Sequence, residues 1–299
     1  MRLLIFASAA AGKIILMRAS AALFALIFYS FSTFAAAQAT AATQCSAPSG
    51  WPTAQFTSAK DPSVVKSCQV LNQMIRALGG DAWLNVRTQE SAGRASSFYH
   101  GQPNSMSILY WRYWEWPDKE RVELTKQRDV VELLVGDKGY EITYKGTATQ
   151  DPKDLEQELR RREHSLEWVV RKWLPAPGTT ILYSGTAMVE RNLADQVTVL
   201  NASNDSVVLS IDGTTRLPVK ISYQWRDPVD REFDDGAVVF GNYKLIDGIQ
   251  TPYSVVYYLN GDMTSQRFVN SVKYNTGMAP TLFEPKGMLY NPNKQNGTK

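Results

Sequence analysis

An α+β, mainly β fold is what this sequence predicts, and three observations predict it. Beyond about residue 106, apolar residues recur with a period of two, in runs separated by Gly-, Asn- and Asp-containing turns at about the 8–12-residue spacing of antiparallel sheets. Only two stretches, 61–78 and 151–173, carry a helical period, so helices do not alternate with strands as a parallel sheet requires. The chain has 299 residues, 44% hydrophobic and 20% charged, which is globular and long enough to bury a sizeable core.

Residues 1–39 contain Arg2, Lys13 and Arg18 and no Asp or Glu. An apolar stretch, Ala21–Phe34, follows Met17 and Arg18 and runs into Ala35-Ala36-Ala37-Gln38-Ala39. This is the pattern of a secretory signal, with small-x-small cleavage sites ending at Ala37 or Ala39. A retained membrane anchor is the alternative, but Lys13 and Arg18 interrupt it, and a charge at the centre of a span costs about 2.5–3.5 kcal/mol. The formal net charge of +3 lies in this leader; the rest of the chain is balanced. Its overall charge therefore supplies no basic face for nucleic acid.

Residues 40–60 read as an irregular lead-in. After export, Cys45 and Cys68 are natural disulfide partners, the alternative being two buried thiols. Two Cys and two His exclude a multi-Cys zinc site and a disulfide-dense scaffold. Asp61 caps and Pro62 opens a first helix; Val64, Val65, Cys68, Leu71, Met74, Ile75 and Leu78 give its apolar face, and Gly79-Gly80 end it. Asp81–Leu84 forms a short second turn.

Met106, Ile108, Tyr110, Arg112, Trp114 and Trp116 then share one face of a long strand. Arg121–Lys126 follows, and Val130–Val135 and Tyr140–Tyr144 make a hairpin. One long helix, capped by Asp151, carries Leu155, Leu159, Leu166, Val169, Val170 and Trp173 as its stripe and stops at Pro175. Seven more strands run from Thr180 to Tyr274, for a total of about ten or eleven. Residues 61–285 read as one domain, with 286–299 as a flexible tail.

No signature of catalysis stands out. Gly-x-Ser-x-Gly, His-Glu-x-x-His, the phosphate loop and Gly-x-Gly-x-x-Gly before a helix are all missing. His100 and His164 read as exposed. Asp227, Asp230, Glu232, Asp234 and Asp235 read as a solvated hairpin end. Arg160-Arg161-Arg162 and Arg171-Lys172, interspersed with Glu156, Glu158, Glu163 and Glu167, read as a solvated helix face. What remains is an aromatic load: Trp and Tyr number 22, densest in Tyr110–Trp116. Either these side chains fill the core, or they line a cavity on a bent sheet beneath an amphipathic helix.

Three stretches are similar to the LolA/LolB-like superfamily of periplasmic lipoprotein and lipid carriers. Tyr113–Glu123 resembles its strand–Pro–basic–strand segment, and Leu134–Tyr140 its following hairpin. Asp212–Lys220, Tyr243–Tyr253 and Phe283-Glu284-Pro285 resemble its late meander. The resemblance implies a strongly curved antiparallel sheet, an unclosed half-barrel, with a helical lid over an apolar cavity. It also implies no catalytic residues and no cofactor. The family's lid-latching Arg before the Pro is here Trp116, which cannot donate the same charge-assisted bonds.

Together these readings give a non-enzymatic carrier or sensor, exported to the periplasm of a Gram-negative-type bacterium, that binds a lipid, an acyl chain or a lipoprotein. Its ligand-binding residues would be Ile108, Tyr110, Arg112, Trp114 and Trp116 on the sheet and Leu159, Leu166, Val170 and Trp173 on the long helix. The alternatives are an envelope interaction domain with a filled sheet and a protein partner, or a hydrolase of an envelope polymer using the cluster Asp227–Asp235.

Overall fold

The computed structural model of the chain describes residues 44–104, 107–228 and 231–287, all within the unit Gln44–Lys299. The expectations for the leader, for Met106, for Asp230 and for the last twelve residues lie outside the described residues.

The lead-in is not a free segment. Trp51 and Phe56 are buried, and Ala54–Phe56 makes a turn of 3-10 helix. A disulfide joins Cys45 to Cys68 with the Cα atoms 5.8 Å apart. Helix α1, Pro62–Leu78, starts where the carboxylate of Asp61 accepts from the backbone N–H groups of Ser63 at 2.7 Å and Val64 at 3.3 Å. It ends at Gly79, whose φ is 129° and whose added Cβ would lie 2.6 Å from the Gly248 carbonyl oxygen, so no other residue fits. Helix α2 is Asp81–Leu84.

Fourteen strands follow among the described residues: β1 Thr88–Tyr99, β2 Gln102–Pro103, β3 Ile108–Glu115, β4 Lys119–Leu124, β5 Val130–Val135, β6 Lys138–Thr143, β7 Gly146–Thr149, β8 Thr180–Val189, β9 Asn192–Leu200, β10 Ser206–Asp212, β11 Pro218–Arg226, β12 Phe233–Ile246, β13 Ile249–Leu259 and β14 Asp262–Tyr274. Apart from β2, which pairs with β1, they form one antiparallel sheet in the order β7-β6-β5-β4-β3-β1-β14-β13-β12-β11-β10-β9-β8. The sheet does not close, because β7 and β8 are its two ends. This is the α+β, mainly β, unclosed half-barrel that the sequence led us to expect.

Three strands exceed the sequence expectation: β1, β2 and β7. β1 matters most, since it joins the β3–β7 meander to the β8–β14 meander. Its sequence, Thr-Gln-Glu-Ser-Ala-Gly-Arg-Ala-Ser-Ser-Phe-Tyr, has no apolar alternation, so its strand character comes from having a partner on both sides. A bulge at Ala92/Gly93 bends it, and a Cβ on Gly93 would sit 2.0 Å from the Phe268 carbonyl oxygen. Further register shifts in the β8–β9, β10–β11 and β13–β14 pairs add curvature.

The single long helix expected over 151–173 is broken. Helix α3, Pro152–Glu163, ends at His164; α4, Leu166–Trp168, restarts on a Ser165 cap and continues as a π-helical turn, Val169–Trp173. The helical period runs straight through the break, which is why sequence spacing did not show it. The consequence is a change of face. No residue of α3 is buried, whereas Leu166, Val169, Val170 and Trp173 are.

α1 packs against β8, β9 and β13. Its buried residues share one core cluster with Val197, Val199, Val207, Leu209, Ile211 and Ile221 of β9–β11, on the sheet's inner surface. Leu166 of α4 and Val169, Val170 and Trp173 of the π turn join the same core, and α3 and α4 extend over the remainder of the sheet's inner face. Those elements connect β7 to β8, the two ends of the sheet, and therefore cross from edge to edge.

Candidate functional site

Between that remainder of the sheet's inner face and this crossing segment lies a cavity of about 190 Å³. The period of two places Tyr110, Arg112 and Trp114 of β3 on its wall. Gln89 and Ser91, their cross-strand partners on β1, share that wall. Val238, Phe240, Val255, Val269 and Val272 add an apolar floor, and Tyr243, Tyr257 and Tyr274 an aromatic one. The lid contributes Glu158, Arg161, Arg162, Ser165, Leu166, Glu167 and Arg171.

Of the residues expected to bind ligand, Tyr110, Arg112, Trp114 and Leu166 meet at this cavity. Trp116 flanks it, with ring centroids 6.0 Å from Trp114 and 5.9 Å from Trp168. Ile108 and Leu159 are half-buried away from the cavity wall. Val170 and Trp173 are buried in the core shared with α1 and β9–β11.

The wall is charged, which the sequence reading did not anticipate. Arg112 donates from Nε to Glu120 Oε1 at 2.8 Å, from Nη2 to Glu120 Oε2 at 3.3 Å and from Nη1 to Gln89 Oε1 at 2.8 Å. Burial alone would raise the Glu120 carboxyl. The Arg112 guanidinium, with Arg267 and Arg161 beyond it, reverses this and holds it down at about 2. Arg267 lies 3.9 Å from Glu120, and its guanidinium stands 5.4 Å from the Tyr257 ring centroid. Arg161 pairs with Glu158 and lies 5.1 Å from the same centroid.

The expected solvated arginine face is thus corrected. Arg160 stacks on Trp225 at 4.4 Å, Arg162 on Trp168 at 5.3 Å and Arg171 on Trp116 at 3.9 Å, while Arg162 also donates to the Gly136 carbonyl. Rings of the sheet side, Trp225 and Trp116, and of the lid itself, Trp168, hold these guanidinium faces. A signal was present in the sequence: Glu158, Arg161, Arg162 and Ser165 lie three or four apart, and Arg162 falls on the same helix face as Leu155 and Leu159.

At Trp116, in the turn after β3, the guanidinium of Arg171 from the lid stands 3.9 Å from the ring centroid.

His164 is also corrected: it is 5% exposed. The break after α3 turns it inward, stacked on Tyr223 at 4.3 Å and edge-on to Trp173 at 5.3 Å. Its Nδ1 lies 2.7 Å from the Arg160 carbonyl oxygen. Its Nε2 lies 2.8 Å from the Asp205 carboxylate, at an angle outside ordinary hydrogen-bond geometry. His100 is exposed, as expected. Asp227 and Glu232 sit in the turn joining β11 to β12, and the Asp234 carboxylate accepts from Asn260 Nδ2 at 2.7 Å.

No protein-family model matches this sequence, and no curated protein does either. The fold does have solved relatives. A DUF1329 family protein from Desulfovibrio piger is similar over 73% of this chain and 97% of its own, at 13% identity and a TM-score of 0.50. The two share a fold. A putative outer membrane lipoprotein-sorting protein domain from Vibrio parahaemolyticus matches 73% of this chain and 96% of its own at 9% identity, with a TM-score of 0.47. A LolA superfamily protein from Nitrosomonas europaea matches 73% of this chain and 97% of its own at 10% identity, with a TM-score of 0.44.

Proposed function

We propose that this chain is a non-enzymatic carrier or sensor outside the cytoplasm, in the bacterial periplasm, that holds a lipid or an acylated ligand beneath its lid. One observation carries the reading: α1 covers only part of the sheet's inner face, and beside it lies a cavity with an apolar and aromatic floor and a charged wall. The disulfide is in keeping with an oxidising compartment. The likeness to the DUF1329 structure supports the fold, and the ligand reading stands on the cavity. Engineered cavities of about 150 Å³ take up benzene, so this one has room for about eight carbons of an acyl chain. At about 0.8 kcal/mol per methylene their burial contributes roughly 6 kcal/mol before ordering costs. A longer chain needs the lid to shift or must emerge at its rim.

The test is native mass spectrometry of gently purified protein, followed by organic extraction. Extra mass that leaves with the lipid phase is the expected result. A clean apo mass that persists after incubation with lipid vesicles overturns the carrier reading and favours the interaction domain.

A further inference from the structure

Five arginines and three glutamates reach the cavity wall, so its charges do not cancel. Arg112 is engaged by Glu120 and Gln89, and Arg161 by Glu158. Two guanidinium nitrogens are not engaged: Arg162 Nε and Arg171 Nη1 are buried without a hydrogen-bond partner among the described residues. A buried donor left unpaired costs about 1–3 kcal/mol, and more when charged. Both side chains belong to one stack: Arg171 on Trp116, Arg162 on Trp168, and the two rings 5.9 Å apart. Both residues line the cavity, and the N–H edge of a guanidinium held by its face on a ring fits a carboxylate or phosphate once a side-chain shift opens it to the ligand. Burial, with a smaller effect from Arg87, pushes Arg171 down to about 10 against the pull of Glu167.

We propose that Arg162 and Arg171 form the head-group site for an anionic amphiphile, an acyl or alkyl chain ending in a carboxylate or phosphate, with its chain along the floor of Val238, Phe240 and Val255. The inference rests on the carrier reading and narrows it. A neutral acylglycerol or ester offers these two donors no anion, whereas a fatty acid or an alkyl phosphate does.

The experiment titrates the full chain, as it is purified, with dodecanoate, methyl dodecanoate and dodecyl phosphate, and with acetate and inorganic phosphate as chain-free anions, by calorimetry at neutral pH. At least one of the two anionic amphiphiles should bind tenfold or more tighter than the methyl ester, and whichever binds better names the head group. In Arg162→Gln and Arg171→Gln the ratio should fall toward one while the ester's affinity holds. Arg171→Lys should keep part of the preference, and far-UV circular dichroism checks that each variant folds. Equal affinity for anion and ester overturns the proposal and leaves the carrier reading intact. Acetate or phosphate binding as well as the chain-bearing probes also overturns it. No binding by any chain-bearing probe overturns both.

Discussion

At Glu120 one carboxylate serves three guanidinium groups, those of Arg112, Arg161 and Arg267. Because its folded value is about 2 against an ordinary 4.5, it contributes stability that is fully present above about pH 4.5 and lost as the pH falls toward 2. Removing one partner of a fully buried pair costs about 3–5 kcal/mol, and partial exposure of this one reduces that to roughly 2. Glu120→Gln should therefore unfold at lower urea than wild type by that margin at pH 7 and pH 5, with the gap closing at pH 3. An equal gap at all three values would show that Glu120 does not carry the acid dependence. At this scale the strand positions were legible and the helix positions were not. Alternation fixed Tyr110, Arg112 and Trp114 on one face, because a strand has only two faces. An arginine with a glutamate four residues earlier reads the same whether water or a tryptophan ring waits opposite it, as Arg160 shows with Glu156 and Trp225.

The lid meets the sheet through Trp116, which touches Arg171, Trp168 and Trp114 at once. A cation–π contact and aromatic pairs of this kind are together worth roughly 2 kcal/mol. Trp116→Ala should raise amide hydrogen exchange across Ser165–Trp173 several-fold while α1 and β9–β11 keep their protection. Trp116→Phe should restore part of it. Uniform loss of protection over the whole chain would mean that the ring supports the core and not the lid. Elements whose stability is local were readable: α1 has its cap, its proline and its glycine stop, and the β5–β6 hairpin has Gly136 at its turn. β1 was not, because its pairing with β3 and β14 is non-local and its own residues are small and polar. The break at His164 was missed for a related reason: Ser165 caps α4 without interrupting the apolar spacing.

For the whole molecule, the disulfide closes a loop over a sequence separation of 23, for which loop entropy gives about 3 kcal/mol. Cys68→Ser should lower the unfolding free energy in urea by about that much, and an unchanged midpoint would show that core packing alone holds the lead-in. The same lead-in reaches the far end of the lid, where the Gln55 side-chain amide donates to the carbonyls of Leu174 and Ala176. The overall architecture could be read because turn chemistry and period repeat along the chain. The order of the strands could not, since it depends on which two of them meet in the middle. The segment that roofs the cavity is fastened to β7 at one end and to β8 at the other, the opposite margins of the sheet. Like the string of a bow it is tied at both tips and has no free end, so any movement of it is restrained from both margins at once.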